Sequence, residues 1–451
     1  MNKQIRNTIY AMMVLVWIIP ACDVLDQQPE TLISNETAIV DLQTAEAALI
    51  GTYNALQDGD YYGGRFIMAT EMAAGNGRAA AFQQFWKELE TGVVPTSNFH
   101  VEDNWVAIYN VVNVANSVIG KVPELGLSES DESRLMGTAY FLRGLAFFDA
   151  LRQYGEFFDP SSVYGIPLPL VAADEIQETS RSTVEQSYLQ VETDLQNAID
   201  LLGDSGNKFF ASLGAAQALK ARVHLYQEEF DMAEQLASAV IANSNYSLSE
   251  DYNEVYLSEG SAESIFELNF IALEDPSAWA IEMYITPPEV TVSEDMISFF
   301  DPANRIDAER GQQFEIVGSF LRCTKYGSEP ADEGGNTILL RLSEMYLIRA
   351  EALSRGSNDP TAALADINVV RSRAGLTALT AANVTSESEL IDVLLEERRS
   401  EFAFEGHYWF DLVRLDRLES TRGLESFRRI FPIPQREINI TDGTLVQNPD
   451  Y

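Results

Sequence analysis

Two stretches of the chain are each long enough for a pair of helices, and each carries small residues where the two helices meet. Residues 212–243, SLGAAQALKARVHLYQEEFDMAEQLASAVIAN, hold Ala215, Ala218, Ala221 and Ala233 at spacings that let two helix backbones approach closely. Residues 342–375, LSEMYLIRAEALSRGSNDPTAALADINVVRSRAG, have a similar design around the turn RGSNDP. Two further pairs follow from apolar spacing, 45–56 with 105–119 and 133–153 with 183–202. Leu42, Ala45, Leu49, Tyr53 and Leu56 recur at helical intervals, as do Trp105, Ile108, Tyr109, Val112 and Asn116. Gly155 is placed as a C-cap. Thr183 and Gln186 have capping-box spacing ahead of the stripe Tyr188, Val191, Leu195, Ala198, Ile199 and Leu202. The pattern predicts a mainly α fold with four scattered helix pairs, loosely similar to tetratricopeptide hairpins.

Three segments break the helical period. Residues 58–100, DGDYYGGRFIMATEMAAGNGRAAAFQQFWKELETGVVPTSNFH, are rich in glycine and aromatics and are expected to form loops. The prolines of GIPLPLV, Gly165 to Val171, enforce an extended run. Residues 244–337 read as loops and short strands laid over the helical scaffold.

The N-terminus has a different character. Lys3 and Arg6 precede an apolar run, Ala11 to Ile19, of signal-peptide length and too short to span a bilayer. The run stops at Pro20-Ala21-Cys22, which looks like a lipoprotein signal cut before an acylated Cys22. Residues 1–21 are therefore expected to be a signal peptide, and Asp23 to Glu30 a polar tether. Removing Lys3 and Arg6 leaves 28 basic groups against 69 acidic ones, a net charge of −41. Such a field argues against nucleic acid or an anionic membrane surface as partner. With Cys22 lipidated, Cys323 has no partner in the chain, so a disulfide framework and a cysteine zinc site are excluded.

The most specific run is VLLEERRSEFAFEGHYWFDLVRL. Leu394, Glu397, Arg398, Glu401, Phe402 and Glu405 lie at helical spacing, and Asp411 sits three residues before Arg414. Charges interleaved with this many aromatics predict partly buried ion pairs that fix the helix on the core. This run resembles the SusD/RagB family of outer-membrane nutrient-binding lipoproteins. So do RLSEMYLIRAE at Arg341 to Glu351, PIPQREI at Pro432 to Ile438, the terminal QNPDY, and WVAIYNVVNVAN at Trp105 to Asn116. The resemblance covers essentially the whole chain after Cys22. It departs from the family at Tyr408, where Arg is usual, and at Asp450, where Gly is usual.

The resemblance implies a SusD-like fold: four tetratricopeptide-like helix pairs with a loop-rich ligand face. It implies one compact unit with an N-terminal region, 22–225, and a C-terminal region, 226–451. It also implies a lipid-anchored protein on the outer face of the outer membrane. There it would capture oligosaccharides and pass them to a SusC-type TonB-dependent transporter. Capture of peptides by the same architecture, or a scaffold that only binds proteins, are the alternatives.

Sugar capture needs flat apolar faces and polar partners for hydroxyls. Residues 58–100 supply both: Tyr61, Tyr62, Phe82, Phe85 and Trp86 as faces, and Glu71, Asn76, Arg78 and Gln83 as polar groups. Trp279 and Tyr284 are weaker candidates, while Trp105 and Trp409 are expected in the core. Glu397, Glu401 and Glu405 form a ladder, and a retaining glycosidase needs two carboxyls roughly 5 Å apart. The interleaved arginines favour structural ion pairs instead. His100, His224 and His407 are scattered, and no nucleophile elbow or phosphate loop is present. No enzyme activity and no cofactor are expected. The acidity leaves a structural calcium ion open, without an ordered ligand run.

Overall fold

Asp41 opens the first helix. Its side chain accepts the Thr44 backbone N–H at 2.8 Å, and the Thr44 hydroxyl accepts the Asp41 N–H at 3.0 Å, a reciprocal cap. The computed structural model describes residues 38–80, 83–173, 179–270, 283, 287–300, 307–326 and 335–451. The chain runs α1 (Leu42–Leu56), α2 (Arg65–Ala74), β1 (Gly77–Ala79), α3 (Gln84–Thr91), α4 (Phe99–Lys121), α5 (Glu129–Tyr154), α6 (Val184–Leu201) and α7 (Leu213–Tyr226). It continues through α8 (Phe230–Ile241), α9 (Glu254–Leu257), β2 (Ser264–Leu268), β3 (Val290–Val292), α10 (Glu294–Phe299) and α11 (Ala308–Gly311). Next come β4 (Phe314–Val317), β5 (Phe320–Cys323), β6 (Thr337–Arg341), α12 (Leu342–Arg355) and α13 (Pro360–Arg373). The last elements are α14 (Glu387–Glu401), α15 (Tyr408–Arg414), α16 (Leu418–Arg422) and α17 (Gln435–Ile440). No described helix is long and apolar enough to cross a membrane.

The helices stack in a row, α1 on α4, α4 on α5, α5 on α6, α6 on α7, α7 on α8, α8 on α12 and α12 on α13. All four helix pairs read from the sequence are packed against each other in this row. Small residues set the spacing where α5 meets α6. A Cβ on Gly144 would lie 3.2 Å from Leu195, and one on Gly137 would lie 2.8 Å from Leu202. The capping box of Thr183 and Gln186 forms as the spacing predicts. Gly155 follows α5 in an extended conformation rather than a left-handed one. A continuous apolar cluster runs from Ile39 to Leu445, so the N-terminal and C-terminal parts share one core. Trp105 and Trp409 both belong to it, and Cys323 is a buried thiol pushed up to about 12 by burial.

Residues 165–173 are extended, as the prolines require, and α4 holds them by side-chain bonds. Tyr109 donates to the Pro167 carbonyl at 3.0 Å and Asn116 to that of Pro169 at 2.9 Å. Asn113 pairs with both the N–H and the carbonyl of Ala173, at 2.9 and 3.2 Å.

The signature run folds into α14 and α15, and its charges form a buried network. Arg341 reaches Glu263 at 2.7 Å, Glu401 at 2.5 Å and Glu405 at 2.8 Å. Glu401 also contacts Arg310 at 2.9 Å and pairs with Arg373. Arg398 binds Asp411 at 2.7 Å, and Arg414 joins Asp411 at 2.9 Å to Glu351 at 2.6 Å. Burial alone would raise the Glu401 carboxyl, but Arg373, Arg341 and Arg310 outweigh it and hold it well below the usual range. Glu397 pairs with Arg310 at 2.5 Å and Arg371 at 2.9 Å, and Glu405 also pairs with Lys325 at 2.6 Å, so every carboxylate of the ladder faces a cation.

Asp450 stands in the left-handed region, at φ 64°. The turn thus holds an aspartate in a conformation that glycine adopts without strain. Asp450→Gly is expected to stabilise the protein by up to about 1 kcal/mol, read as a higher urea midpoint at unchanged slope.

Candidate functional site

Several of the sequence's candidate residues belong to the core rather than to a ligand face. Tyr61 and Tyr62 are 0% and 4% exposed. Both hydroxyls donate to the buried Asp149, at 2.5 and 2.8 Å, and Arg152 donates to the other oxygen at 2.8 Å. Trp86 is 0% exposed, its ring tilted 33° to that of His100 with centroids 4.0 Å apart, and its indole N–H donates to Glu289 at 3.1 Å. Glu71 and Asn76 are fully buried too. These five residues are corrected from ligand contacts to packing. The loop reading of 58–100 is corrected with them, since α2 and α3 occupy much of it. From Phe66 to Ala74 every residue of α2 is buried, so the helix has no polar face and shows no amphipathic period.

What those buried groups do is hold a surface in place. Asn76 donates to Glu71 at 2.6 Å, and the Gly406 N–H reaches the other Glu71 oxygen at 2.9 Å. Arg399 grips the Asn76 side-chain oxygen through Nε and Nη2, at 3.0 and 2.9 Å, and Asp295 at 2.7 Å. Burial pushes the Glu71 carboxyl up to about 7, against hydrogen bonds that pull it down. Gly75 allows the turn between α2 and β1 at φ 90°, and a Cβ there would lie 2.6 Å from the Arg422 guanidinium. Behind this turn β1 pairs antiparallel with β3, Gly77 opposite Val292 and Ala79 opposite Val290. The Ala80 N–H extends the ladder to the Glu289 carbonyl at 2.8 Å.

The β1–β3 ribbon carries an exposed set of polar groups. Arg78 lies 3.3 Å from Glu294, with side chains 41% and 85% exposed. Gln83 donates to Glu289. Asp295, 74% exposed, faces Arg399. Beside them the half-buried Phe85 packs 5.1 Å from the exposed Phe99 and 4.6 Å from His100. Burial pushes the His100 imidazole down to about 3, so it is a neutral, apolar-packed ring. The arrangement offers guanidinium, amide and carboxylate groups on a solvent-facing surface with aromatic flanks, the chemistry that hydroxyl-rich ligands need.

Of the candidates in residues 58–100, Arg78, Gln83 and Phe85 are half-buried rather than buried, and stay open to solvent. Phe82, Trp279, Tyr284 and Cys22 lie outside the described residues. Glu289, Glu294, Asp295, Arg399 and Phe99 are not among the residues to which the sequence points. Their signal was weak: Glu289, Glu294 and Asp295 fall in the irregular stretch, but the register that brings them to Arg78 spans 216 residues. Two of the cavities among the described residues lie elsewhere. One, about 660 Å³, is walled by Tyr53 and Phe210 near Arg134. The other, about 830 Å³, adjoins Trp105, Tyr109 and the extended 165–173 segment.

The chain is a mainly helical protein built as a row of packed helices with an irregular polar face, and comparison with known proteins identifies its family. Residues 319–426 match the SusD family, and residues 23–225 match a family described as starch-binding, associating with outer membrane. The chain belongs to the SusD/RagB family. It is 25% identical to SusD-like protein P38 of Formosa agariphila over the full length of both chains. It is 35% identical to the starch-binding protein SusD of Bacteroides thetaiotaomicron over 25% of this chain and 21% of that one. A crystal structure of a SusD superfamily protein from Bacteroides thetaiotaomicron superposes with a TM-score of 0.79 at 26% identity, covering 91% of this chain and all of that one.

Proposed function

We propose that this protein captures oligosaccharides at the cell surface on its β1–β3 face, without catalysis. In this reading acylated Cys22 anchors it to the outer face of the outer membrane, and it passes the glycan to a SusC-type TonB-dependent transporter. Family membership supports the ligand class. The carrying observation is the cluster of exposed Glu294 and Asp295 with the half-buried Arg78 and Gln83 around a ribbon that Glu71, Asn76 and Arg399 hold in register.

The test uses the chain with Cys22→Ser and native gels cast with plant, algal and microbial polysaccharides. One polysaccharide is expected to retard the protein. Arg78→Ala or Glu294→Ala is expected to weaken retardation roughly tenfold, the scale of one charge-assisted hydrogen bond. Loss on Phe210→Ala but not on Arg78→Ala would move the site to the cavity near Tyr53. Heat from peptides with no glycan retardation would overturn the sugar reading. New reducing ends would overturn the absence of catalysis.

A further inference from the structure

Where α6, α7 and the start of α8 meet, Glu192, His224 and Glu229 each bring one ligand atom within 4.8 Å of the others. They come from three places in the chain: the middle of α6, the last turn of α7 and the residue before α8. His224 is 3% exposed. Its Nδ1 lies 2.5 Å from Glu229 Oε2, and its buried Nε2 has no hydrogen-bond partner among the described residues.

Of the two carboxylates, Glu192 is half-buried and Glu229 exposed. Asp194, Glu344, Glu351 and Glu401 are buried acids, and each is held by arginine. Among the described residues, neither Glu192 nor Glu229 has a lysine or arginine within ion-pair distance. Glu192 Oε1 takes the Gln227 amide at 2.8 Å, which orients the carboxylate, and its other oxygen has no hydrogen bond among the described residues. Lys220 directs its ammonium to Gln196 Oε1 at 2.6 Å instead. The turn carrying Glu229 is set by Glu228 at φ 59° and by the Glu229 N–H on the His224 carbonyl at 2.9 Å.

We propose that Glu192, His224 and Glu229 form a binding site for a divalent transition-metal ion of the zinc type, which fastens α6 to the α7–α8 hairpin. One imidazole and two carboxylates suit such an ion, with water completing the shell. Tetrahedral zinc sets its ligand atoms about 3.3 Å apart, so the 2.5 Å contact between His224 and Glu229 opens by under 1 Å on loading. As Nδ1 takes the metal it gives up its hydrogen bond to Glu229, and the neutral ring carries its single proton on Nε2. The Gln227 amide then acts as the outer partner that fixes Glu192.

The Cys22→Ser chain, stripped with chelator, would be titrated with Zn²⁺ by calorimetry and with Co²⁺ by visible absorption. One tight ion per chain is expected, with a tetrahedral cobalt band. Glu192→Gln, Glu229→Gln and His224→Gln are each expected to weaken binding at least tenfold. Glu132→Gln, an acid on the distant first turns of α5, is expected to leave it unchanged. Zinc at a hundredfold excess over its dissociation constant should raise the Tm by about 2–3 °C. Weak zinc uptake that is equal in wild type, Glu192→Gln and Glu229→Gln would be diffuse binding to an acidic surface and would overturn the site. Those two variants replace the more exposed ligands, so the test stays readable if His224→Gln does not fold.

Discussion

Arg341→Met is expected to destabilise the protein by about 3–5 kcal/mol, or to prevent folding, because it removes a buried cation from three buried acids. Arg341 is 2% exposed and bonds Glu263, Glu401, Glu405 and the Glu401 carbonyl, the last at 2.7 Å. It also stacks 4.5 Å over Phe402. Methionine keeps much of the packing volume, so the loss reports the charge. Arg373, Arg310 and Lys325 would then remain to neutralise the acids, which are tied to other elements. The double variant Arg341→Met with Glu405→Gln should be less unstable than the sum of its parts, because one of the stranded charges is removed. Urea midpoints would measure this. A loss below about 1 kcal/mol for Arg341→Met would show that the network carries little of the stability.

Glu71→Gln is expected to remove a pH-dependent loss of stability of about 3 kcal/mol, the free energy between a carboxyl at 4.5 and one at about 7. The folded carboxyl lies above its unfolded value. Between pH 4.5 and 7 the folded state therefore holds a proton that the unfolded state has released. Its stabilising contribution is complete below about pH 4.5 and is lost as pH rises through about 7. Glu401, Glu405 and Glu351 have the opposite sign, held low by arginines despite burial. Their contribution is present above the unfolded value and is lost as pH falls through their lower folded ones. The difference between wild type and Glu71→Gln isolates the Glu71 part. At pH 5 the variant should be the less stable, because an amide cannot accept from both Asn76 and Gly406. Above pH 7 the gap should close. Parallel stability curves from pH 5 to 8 would contradict the assignment.

Glu71 also couples this titration to the candidate site. Asn76 bonds Glu71 on one side and Arg399 on the other, and Arg399 reaches the exposed Asp295. A carboxylate deep in the core thereby helps to fix a guanidinium at the surface.

The helix pairs were legible because their signals are local. A capping box needs four residues and an apolar stripe needs two turns, so Thr183, Gln186 and the run to Leu202 could be read directly. The ion pairs of the signature run were legible as a kind but not as partners. Spacing brought Asp411 to Arg414, but Glu401 takes its arginines from α13, β6 and α11, which no local period reveals. Tyr61, Tyr62 and Trp86 misled because an aromatic in a glycine-rich stretch reads alike whether it faces solvent or fills a core. Their burial depends on Asp149 and Glu289, which lie 88 and 203 residues away.

By itself, then, the sequence determined the helical scaffold, the family and the acidic, aromatic character of the chain, since periodicity, caps and motifs are written in consecutive residues. Only the tertiary structure decided which of those residues meet a ligand. The pairing of 77–79 with 290–292 turns Arg78 outward toward Glu294 and sends Glu71 and Asn76 inward, and strand register across so long a separation is set by packing rather than by any local preference.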